Sequence, residues 1–516
     1  MSEVTIDNKI NPKVLNHPAG LFVLFFTEMW ERFSYYGMRA LLVLFLVSAL
    51  DEGGWAWSRE DAGVLYAWYS SLVYFTPLIG GYIADSLTGA RVAIVGGAFL
   101  MTLGHLSLAF EFAGQWSFYL GLTLLVLGNG LFKPNISTMV GDLYKKESKK
   151  DSAYTIFYMG INAGAFLGIM LCGYVGETVG WSYGFGLAGI FMLFGLLQFY
   201  FSKALFGQIG SLHKKVVAEN AESKEVTKES LTGTEKDRLI AVGVFALFTI
   251  VFWWAFEQAG SSMTIFAKDY TQRVLTGEWA TIFVWANFFL TVVPVIIVTW
   301  VLGLLVKQTF SKIALSNSFL MTSFVIIWGI VIWKLYGEFS STDQIEVPAS
   351  WFGILNSFFI IAFAPLVSKI WDTKFNPSGP MKFAIAMILL AAGFGFLAYG
   401  SMSIKSGVAE ASVSMFWLIA AYFLHTMGEL CLSPIGLSYV SKLSPKRFVG
   451  LMFGVWLFAA FIGNLLSGYT ASSIDALNEM MGLSGFFLLF TLIPVGAAVI
   501  IVLMSKFLKK RMHGVH

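Results

Sequence analysis

The sequence predicts an all-α polytopic membrane protein with fourteen transmembrane helices, and three observations carry that prediction. The 516 residues are 57% hydrophobic and only 13% charged, with a mean hydropathy of +0.72. Apolar runs long enough to cross a bilayer recur along the whole chain. Lys and Arg also alternate between loops: with the N-terminus inside, 26 fall on the inner side and five on the other, namely Arg59, Lys268, Arg273, Lys334 and Lys405. By the positive-inside rule this places both termini in the cytoplasm of a cell whose inner membrane holds the protein, and a miscounted helix would have spoiled the alternation. The net charge of +3 is small, and no nucleic-acid partner is expected.

Residues 1–19 are polar and lack the apolar core of a signal peptide, so they read as a cytoplasmic N-terminus. Six runs follow, at 20–49, 61–84, 91–111, 116–139, 153–175 and 183–203, forming an N-terminal six-helix bundle over 20–203. The Lys-, Glu- and Ser-rich stretch 204–238 reads as a solvated cytoplasmic linker. Eight further runs occupy 239–267, 280–306, 314–336, 351–370, 381–400, 412–436, 447–470 and 483–506. They give a C-terminal six-helix bundle over 239–506 that includes an extra pair at about 280–336, before a cytoplasmic tail, 507–516. The extra pair carries no midspan charge and is expected outside the twelve-helix core. Cys172 and Cys431 lie in apolar runs and read as packing residues, without a disulfide or thiolate metal site.

The first run contains what a bilayer excludes. Glu28, Glu31, Arg32 and Arg39 sit within it, and Glu31 and Arg32 fall near mid-span, where each charge costs about 2.5 to 3.5 kcal/mol. At about 100° per residue, Glu28, Arg32, Tyr35 and Arg39 project within roughly 40° of one another, with Glu31 about 60° to one side. The other face, Leu24, Phe25, Phe26, Met29, Phe33 and Leu41, suits lipid or neighbouring helices.

Further polar groups interrupt later runs: Lys133 beside Pro134 in the fourth, Trp254 and Glu257 in the seventh, and Gly428 and Glu429 in the twelfth. A lone Lys133 could also be a snorkelling side chain, and the acids could be structural. Together, however, four acids face three bases inside the membrane. An unbalanced buried charge is expensive, so one glutamate should readily take a proton, which points to a proton-coupled device. Bases from the first half and an acid from the second complement a zwitterion: Arg32 and Lys133 for a carboxylate, Glu429 for an amine, with Tyr35, Tyr36 and Tyr74 adding hydroxyls and ring faces. His105 and His425 read as packed core histidines.

Two loops and four blocks carry a family resemblance. Gly81 to Arg91, with Asp85 and Arg91 able to pair across a tight turn, resembles the loop motif of the major facilitator superfamily, and Pro365 to Lys382, with Asp372, is a fainter echo. Glu28-x-x-Glu31-Arg32-Phe33-x-Tyr35-Tyr36-Gly37 is similar to the ExxERFxYYG motif of the proton-dependent oligopeptide transporter (POT/PTR) branch of that superfamily. Gly128 to Asn135, Phe157-Tyr158-x-x-Ile161-Asn162-x-Gly164 and Gly428-Glu429-Leu430-x-Leu432-Ser433-Pro434-x-Gly436-Leu437 agree with it.

The resemblance implies the major facilitator fold, two six-helix bundles plus two extra helices, working by alternating access as a proton-coupled importer of di- and tripeptides. It implies that Glu28, Glu31, Arg32, Lys133 and Glu257 take part in proton coupling, and that Arg32, Tyr35, Tyr36, Tyr74, Lys133, Asn162, Trp254, Asn356, Glu429 and Trp456 line the peptide site. Arg39 would gate with Glu257, which might instead face the ligand. Protons, peptides and membrane lipid are the expected partners, a monomer the expected working unit, and no cofactor or metal is called for. The sequence departs from the family in the Phe352 to Ser357 stretch, in Ala165, where Ser is usual, and in placing the extra pair after the seventh run rather than before it. The alternatives are a related carrier for another anionic or zwitterionic solute, to which an amine-binding Glu429 would be useless if the solute were a simple anion, and a non-transporting peptide-sensing receptor. An enzyme is disfavoured by the lack of a metal-ligand motif, a Gly-x-Ser-x-Gly elbow or a P-loop.

Overall fold

The computed structural model describes residues 12–144, 147–212, 231–340, 344–371, 373–374, 376–445 and 448–515. The middle of the expected linker, most of the polar N-terminus and Asp372 lie outside the described residues.

Fourteen long helices are present among them: α1 Ala19–Val47, α2 Arg59–Ile83, α3 Ala90–Ala109, α4 Gln115–Asp142, α5 Glu147–Thr178, α6 Trp181–Phe201, α7 Gly233–Phe256, α8 Gly277–Thr309, α9 Ala314–Ser340, α10 Ile354–Trp371, α11 Gly379–Gly400, α12 Phe416–Leu443, α13 Val449–Ser472 and α14 Ile474–Arg511. Twelve meet the length and apolarity needed to cross a membrane. The remaining two, α1 and α4, are those that carry Glu28, Glu31, Arg32, Arg39 and Lys133. The chain is a multi-pass membrane protein, and the intramembrane charges mark the helices whose surroundings must be other than lipid.

Two compact units can be distinguished. The first is drawn from Met1–Leu41, Thr76–Glu222 and Arg273–Trp351. Its centre is α1, buried over most of its surface: Leu24, Phe26, Met29 and Phe33 are 0% exposed, so the face that could have met lipid meets other helices. Trp30 and Phe33 lie 5.0 and 4.4 Å from Phe191 of α6. Against α5 the approach is closer still. A Cβ at Gly164 would stand 2.2 Å from the Met29 carbonyl oxygen, and one at Gly168 2.1 Å from that of Phe33. Small residues four apart on α5 therefore let two backbones touch, as in close-packed membrane helix pairs. The expected Asp85–Arg91 pair does not form: Arg91 donates to the carbonyls of Gly207 (3.0 Å) and Ile209 (2.5 Å), while Asp85 is exposed. Carbonyls left at the end of α6 outcompete a solvated carboxylate. Consequently the start of the expected linker, with Leu205 and Phe206 2% exposed, is packed rather than solvated. Its far end is helix from Gly233, opened by a capping box between Thr232 and Glu235.

The extra pair, α8 and α9, interrupts the second half in sequence yet belongs to this first unit. It opens and closes through strands β1 Val274–Thr276 and β2 Gln344–Glu346, which pair antiparallel. Arg273 fastens the same joint, donating to Val347 O at 2.8 Å and pairing with Glu346 at 2.9 Å. Glu177 at the end of α5 accepts from the backbone N–H groups of Ala349 (2.7 Å) and Ser350 (2.9 Å). Lys334, expected in a loop, instead lies on α9, is 2% exposed and pairs with Glu338 at 2.6 Å. Asn287 of α8 donates to both Glu338 oxygens at 2.8 and 2.9 Å and accepts from Trp351. Asn287, Lys334 and Glu338 are thus bonded to one another or to Trp351 where they are buried.

The second unit comprises Leu42–Phe75, Ser223–Gln272 and Phe352–His516. Here α7 breaks at Glu257: a 3-10 turn over Glu257–Gly260 leads through Ser261 to a short helix, Ser262–Ile265. Gln258 secures the break by donating to Ser467 O (3.0 Å) and Oγ (3.1 Å) on α13 and accepting from Ser262 (2.5 Å).

Candidate functional site

Two sets of polar side chains stand out, one in each unit. In the first, Glu28 and Arg32 are one turn apart on α1, and Arg32 Nε lies 3.0 Å from Glu28 Oε1. The same nitrogen pairs with Glu31 Oε2. Glu28, Glu31 and Arg32 are 3%, 0% and 3% exposed, so one guanidinium compensates two dry carboxylates. Glu31 Oε1 accepts a hydrogen bond of 3.0 Å from Asn129 Nδ2 of α4. Lys133, one turn beyond Asn129 and half-buried, lies within electrostatic range of both acids. Tyr35 presents its ring 5.5 Å from the Arg32 guanidinium carbon. Arg32 Nη2 is buried and, among the described residues, has no hydrogen-bond partner. A cationic donor is thereby held in place with one edge unanswered.

In the second unit, Glu429 of α12 is half-buried. Its Oε2 accepts from Asn356 Nδ2 of α10 at 2.9 Å, and the same amide reaches Thr426 Oγ1 at 3.1 Å. Among the described residues Glu429 has no Lys or Arg within ion-pair distance; the charged group that acts on it is Glu257, at the break in α7. A carboxylate held by neutral donors beside a second acid is a receptor for a cation.

The remaining predicted residues divide. Tyr36 is half-buried, 5.0 Å from the Tyr35 ring, and Arg39 stands 5.9 Å over it. Tyr74 is half-buried on α2. Asn162 is 5% exposed and donates to Tyr158 O of its own helix at 2.9 Å. Trp254 gives its indole N–H to Thr470 (2.9 Å) and stacks against Phe490 (4.7 Å), so its ring face is what remains for a ligand. Trp456 is 7% exposed and lies under Gly436, where a Cβ would come within 2.2 Å of its ring.

Sequence reasoning missed Asn129 and Thr426, although both fall one turn from a residue it singled out. It also missed a network within the second unit. Arg59 at the start of α2 bonds Asp269 (2.7 Å), Asp475 (2.6 Å) and Tyr270 (3.2 Å), and Lys268 bonds Ser48 (2.8 Å) and Glu52 (3.5 Å). The available signal was scarcity: four of the five basic residues assigned to the side away from the termini, Arg59, Lys268, Arg273 and Lys334, are in ion pairs.

Known proteins resemble this chain in sequence and fold. The profile of the POT family (PTR2) matches residues 91–228 and 308–486. The chain is 33% identical to the peptide transporter YePEPT of Yersinia enterocolitica, over 89% of this chain and 88% of that one. It is 29% identical to a di-/tripeptide transporter of Lactococcus lactis, over 98% and 99%. A crystal structure of a mutant peptide transporter POT in complex with alafosfalin superposes with a TM-score of 0.76 at 27% identity, covering 98% of both chains. With a family profile that matches more than half of the chain, in both halves, and a relative 33% identical over 89% of it, the chain belongs to the POT family of transporters.

Proposed function

We propose that this chain is a proton-coupled symporter that imports di- and tripeptides across the inner membrane by alternating access. It works as a monomer surrounded by membrane lipid, with both termini in the cytoplasm. The observation that carries this reading is the opposite provision of the two units: a guanidinium with an unanswered buried Nη2 in the first, and a carboxylate held only by neutral donors in the second. A peptide is a zwitterion whose ends match those two demands, its carboxylate meeting Arg32 and Lys133 and its ammonium meeting Glu429. The relatives, a peptide transporter and a di-/tripeptide transporter, support that substrate class.

Coupling follows from the shared guanidinium. While Glu28 and Glu31 are both charged, Arg32 Nε is held by them. A proton on either acid weakens that hold and frees Arg32 for the peptide carboxylate; loss of the proton restores the pair and expels the peptide. Arg39 and Glu257 act as the gate, and Tyr35, Tyr36, Tyr74, Asn162, Trp254, Asn356 and Trp456 line the peptide.

Uptake of radiolabelled dialanine into proteoliposomes, with and without an inward proton gradient, tests the reading. Accumulation above equilibrium that collapses with a protonophore is the expected result. Equal uptake in both conditions would remove the coupling, and silence in both uptake and counterflow would remove peptides as the substrate.

A further inference from the structure

Asn129 occupies a position that the proposed coupling leaves unexplained. It is 1% exposed, and among the described residues its side-chain hydrogen bond runs to Glu31 Oε1, while Arg32 pairs with Oε2. The two oxygens of one carboxylate are thus assigned to different kinds of partner, one neutral and one charged. The amide orientation is set by the acid, since turning Oδ1 toward Oε1 would oppose two acceptors.

The backbone around Asn129 fixes where it aims. Gly128 and Gly130 flank it, and neither tolerates a side chain: a Cβ at Gly128 would stand 2.6 Å from the Gly97 carbonyl oxygen of α3, and one at Gly130 2.7 Å from Thr76 Cβ of α2. On the reciprocal side, a Cβ at Gly80 would come within 2.0 Å of the Gly130 carbonyl oxygen. With α2 and α3 in backbone contact on both flanks, α4 cannot rotate about its axis, and Asn129 is held toward α1. The charged groups that face Glu31 are Arg32 and Glu28 from α1 and Lys133 from α4.

We propose that Asn129 is a positioning residue that directs the coupling proton to Oε2 of Glu31, the oxygen bound by Arg32. Oε1 already accepts the amide N–H, whereas Oε2, though ion-paired with Arg32, has no hydrogen-bond donor on it among the described residues, so the open lone pair for an incoming proton is on Oε2. Protonation there forms an Oε2–H bond and removes the charge on Glu31 with which Arg32 Nε pairs, leaving Nε to Glu28 Oε1 at 3.0 Å. The Oε1 atom, now the carbonyl of a neutral acid, still accepts from Asn129 Nδ2, so the side chain keeps its rotamer and can receive Arg32 again when the proton leaves. Every proton therefore breaks the ion pair. Without the amide, Oε1 could take the proton while Arg32 stayed bound to Oε2, and protonation would no longer be tied to release.

This inference rests on the proton coupling proposed above, and the test separates the two. Asn129→Leu keeps the volume and removes the donor; Asn129→Ser keeps a donor on a shorter arm. Gradient-driven accumulation of dialanine by Asn129→Leu should fall about tenfold, the effect of one hydrogen bond to a buried charged group, while counterflow exchange persists; Asn129→Ser should recover part of the loss. Infrared difference spectra between high and low pH supply the readout that a merely structural role would not move. The carbonyl stretch of protonated Glu31, identified as the band missing in Glu31→Gln, should lie at the hydrogen-bonded position in the natural protein and move to higher wavenumber in Asn129→Leu. An unshifted band with unchanged accumulation would overturn the assignment while leaving coupling intact. Should Asn129→Leu fail to fold, the natural protein decides: a band at the free-carbonyl position overturns the proposal. Uptake by the natural protein that ignores the gradient would instead overturn the coupling and this inference with it.

Discussion

Glu31 and Glu429 are two glutamates deep in apolar helices, and each accepts a hydrogen bond from an asparagine amide on another helix, at 3.0 Å from Asn129 and 2.9 Å from Asn356. They differ in charge compensation. Glu31 also pairs with Arg32, whereas Glu429 has Glu257 for its charged neighbour. The asparagine orients either acid; the presence or absence of a cation decides what the acid is available for. Under the proposed function, a paired acid serves as a latch that a proton can open, and an unpaired one awaits a cation brought by the ligand.

That contrast is most severely tested at Arg32. Arg32→Ala leaves two dry carboxylates uncompensated and should cost about 3 to 5 kcal/mol, read as a fall in the thermal unfolding temperature of the detergent-solubilised protein. Adding Glu31→Gln should return part of the loss. If Arg32→Ala unfolds at the natural temperature, the triad is not the paired structure described.

Glu429→Gln should behave in the opposite way. Its stability should stay within about 1 kcal/mol of the natural protein, because Gln retains the oxygen that accepts from Asn356. Dialanine binding should weaken on the order of 10- to 100-fold through loss of the charge that meets the ammonium. An N-acetylated dipeptide, which has no ammonium, should bind both proteins alike; a tenfold drop there too would break the comparison.

A third acid sharpens it at small amplitude. Glu111, in the turn between α3 and α4, is 7% exposed; Ser182 donates to one oxygen at 2.5 Å, the backbone N–H groups of Glu111 and Phe112 also act on the carboxyl, and among the described residues no cation does. Burial pushes its carboxyl above the ordinary value, with the Ser182 bond opposing. A raised acid stabilises the fold at pH below its unfolded value, and that contribution is lost as pH rises through the folded value. The unfolding temperature should therefore decline on going alkaline, and Glu111→Gln should flatten the decline by roughly 1 kcal/mol or less. A steeper fall in the variant would reverse the sign.

Much of this was legible in the chain. The ionic face of α1 could be drawn from a helical wheel, because Glu28 and Arg32 are one turn apart, and all fourteen helices could be counted from apolar runs. What stayed hidden was set by distance along the sequence. Asn129 meets Glu31 across 98 residues, and Arg59 finds Asp269 and Asp475 210 and 416 residues away. A loop motif offered Arg91 an acid six positions earlier, but carbonyls of Gly207 and Ile209 were better placed, which no local reading could foresee. For α8 and α9 the obstacle was different: their outward apolar residues said only that they met lipid, while Asn287, Lys334 and Glu338, which attach them, are polar residues with no periodic signature.

The strand pair that closes this attachment has one more consequence. Val274 faces Glu346 across β1 and β2, so the chain leaves and re-enters the transporter at nearly the same point. The insertion is a cassette with a single doorway. Whatever its length, it adds no separation between the residues that flank it, because the loop-closure cost is settled at the doorway rather than by the helices beyond it. The membrane-facing residues of α8 and α9, Trp279, Ile282, Trp285, Phe289 and Ile296 among them, are free to drift with the thickness and composition of the host bilayer while the peptide-handling helices keep their own constraints.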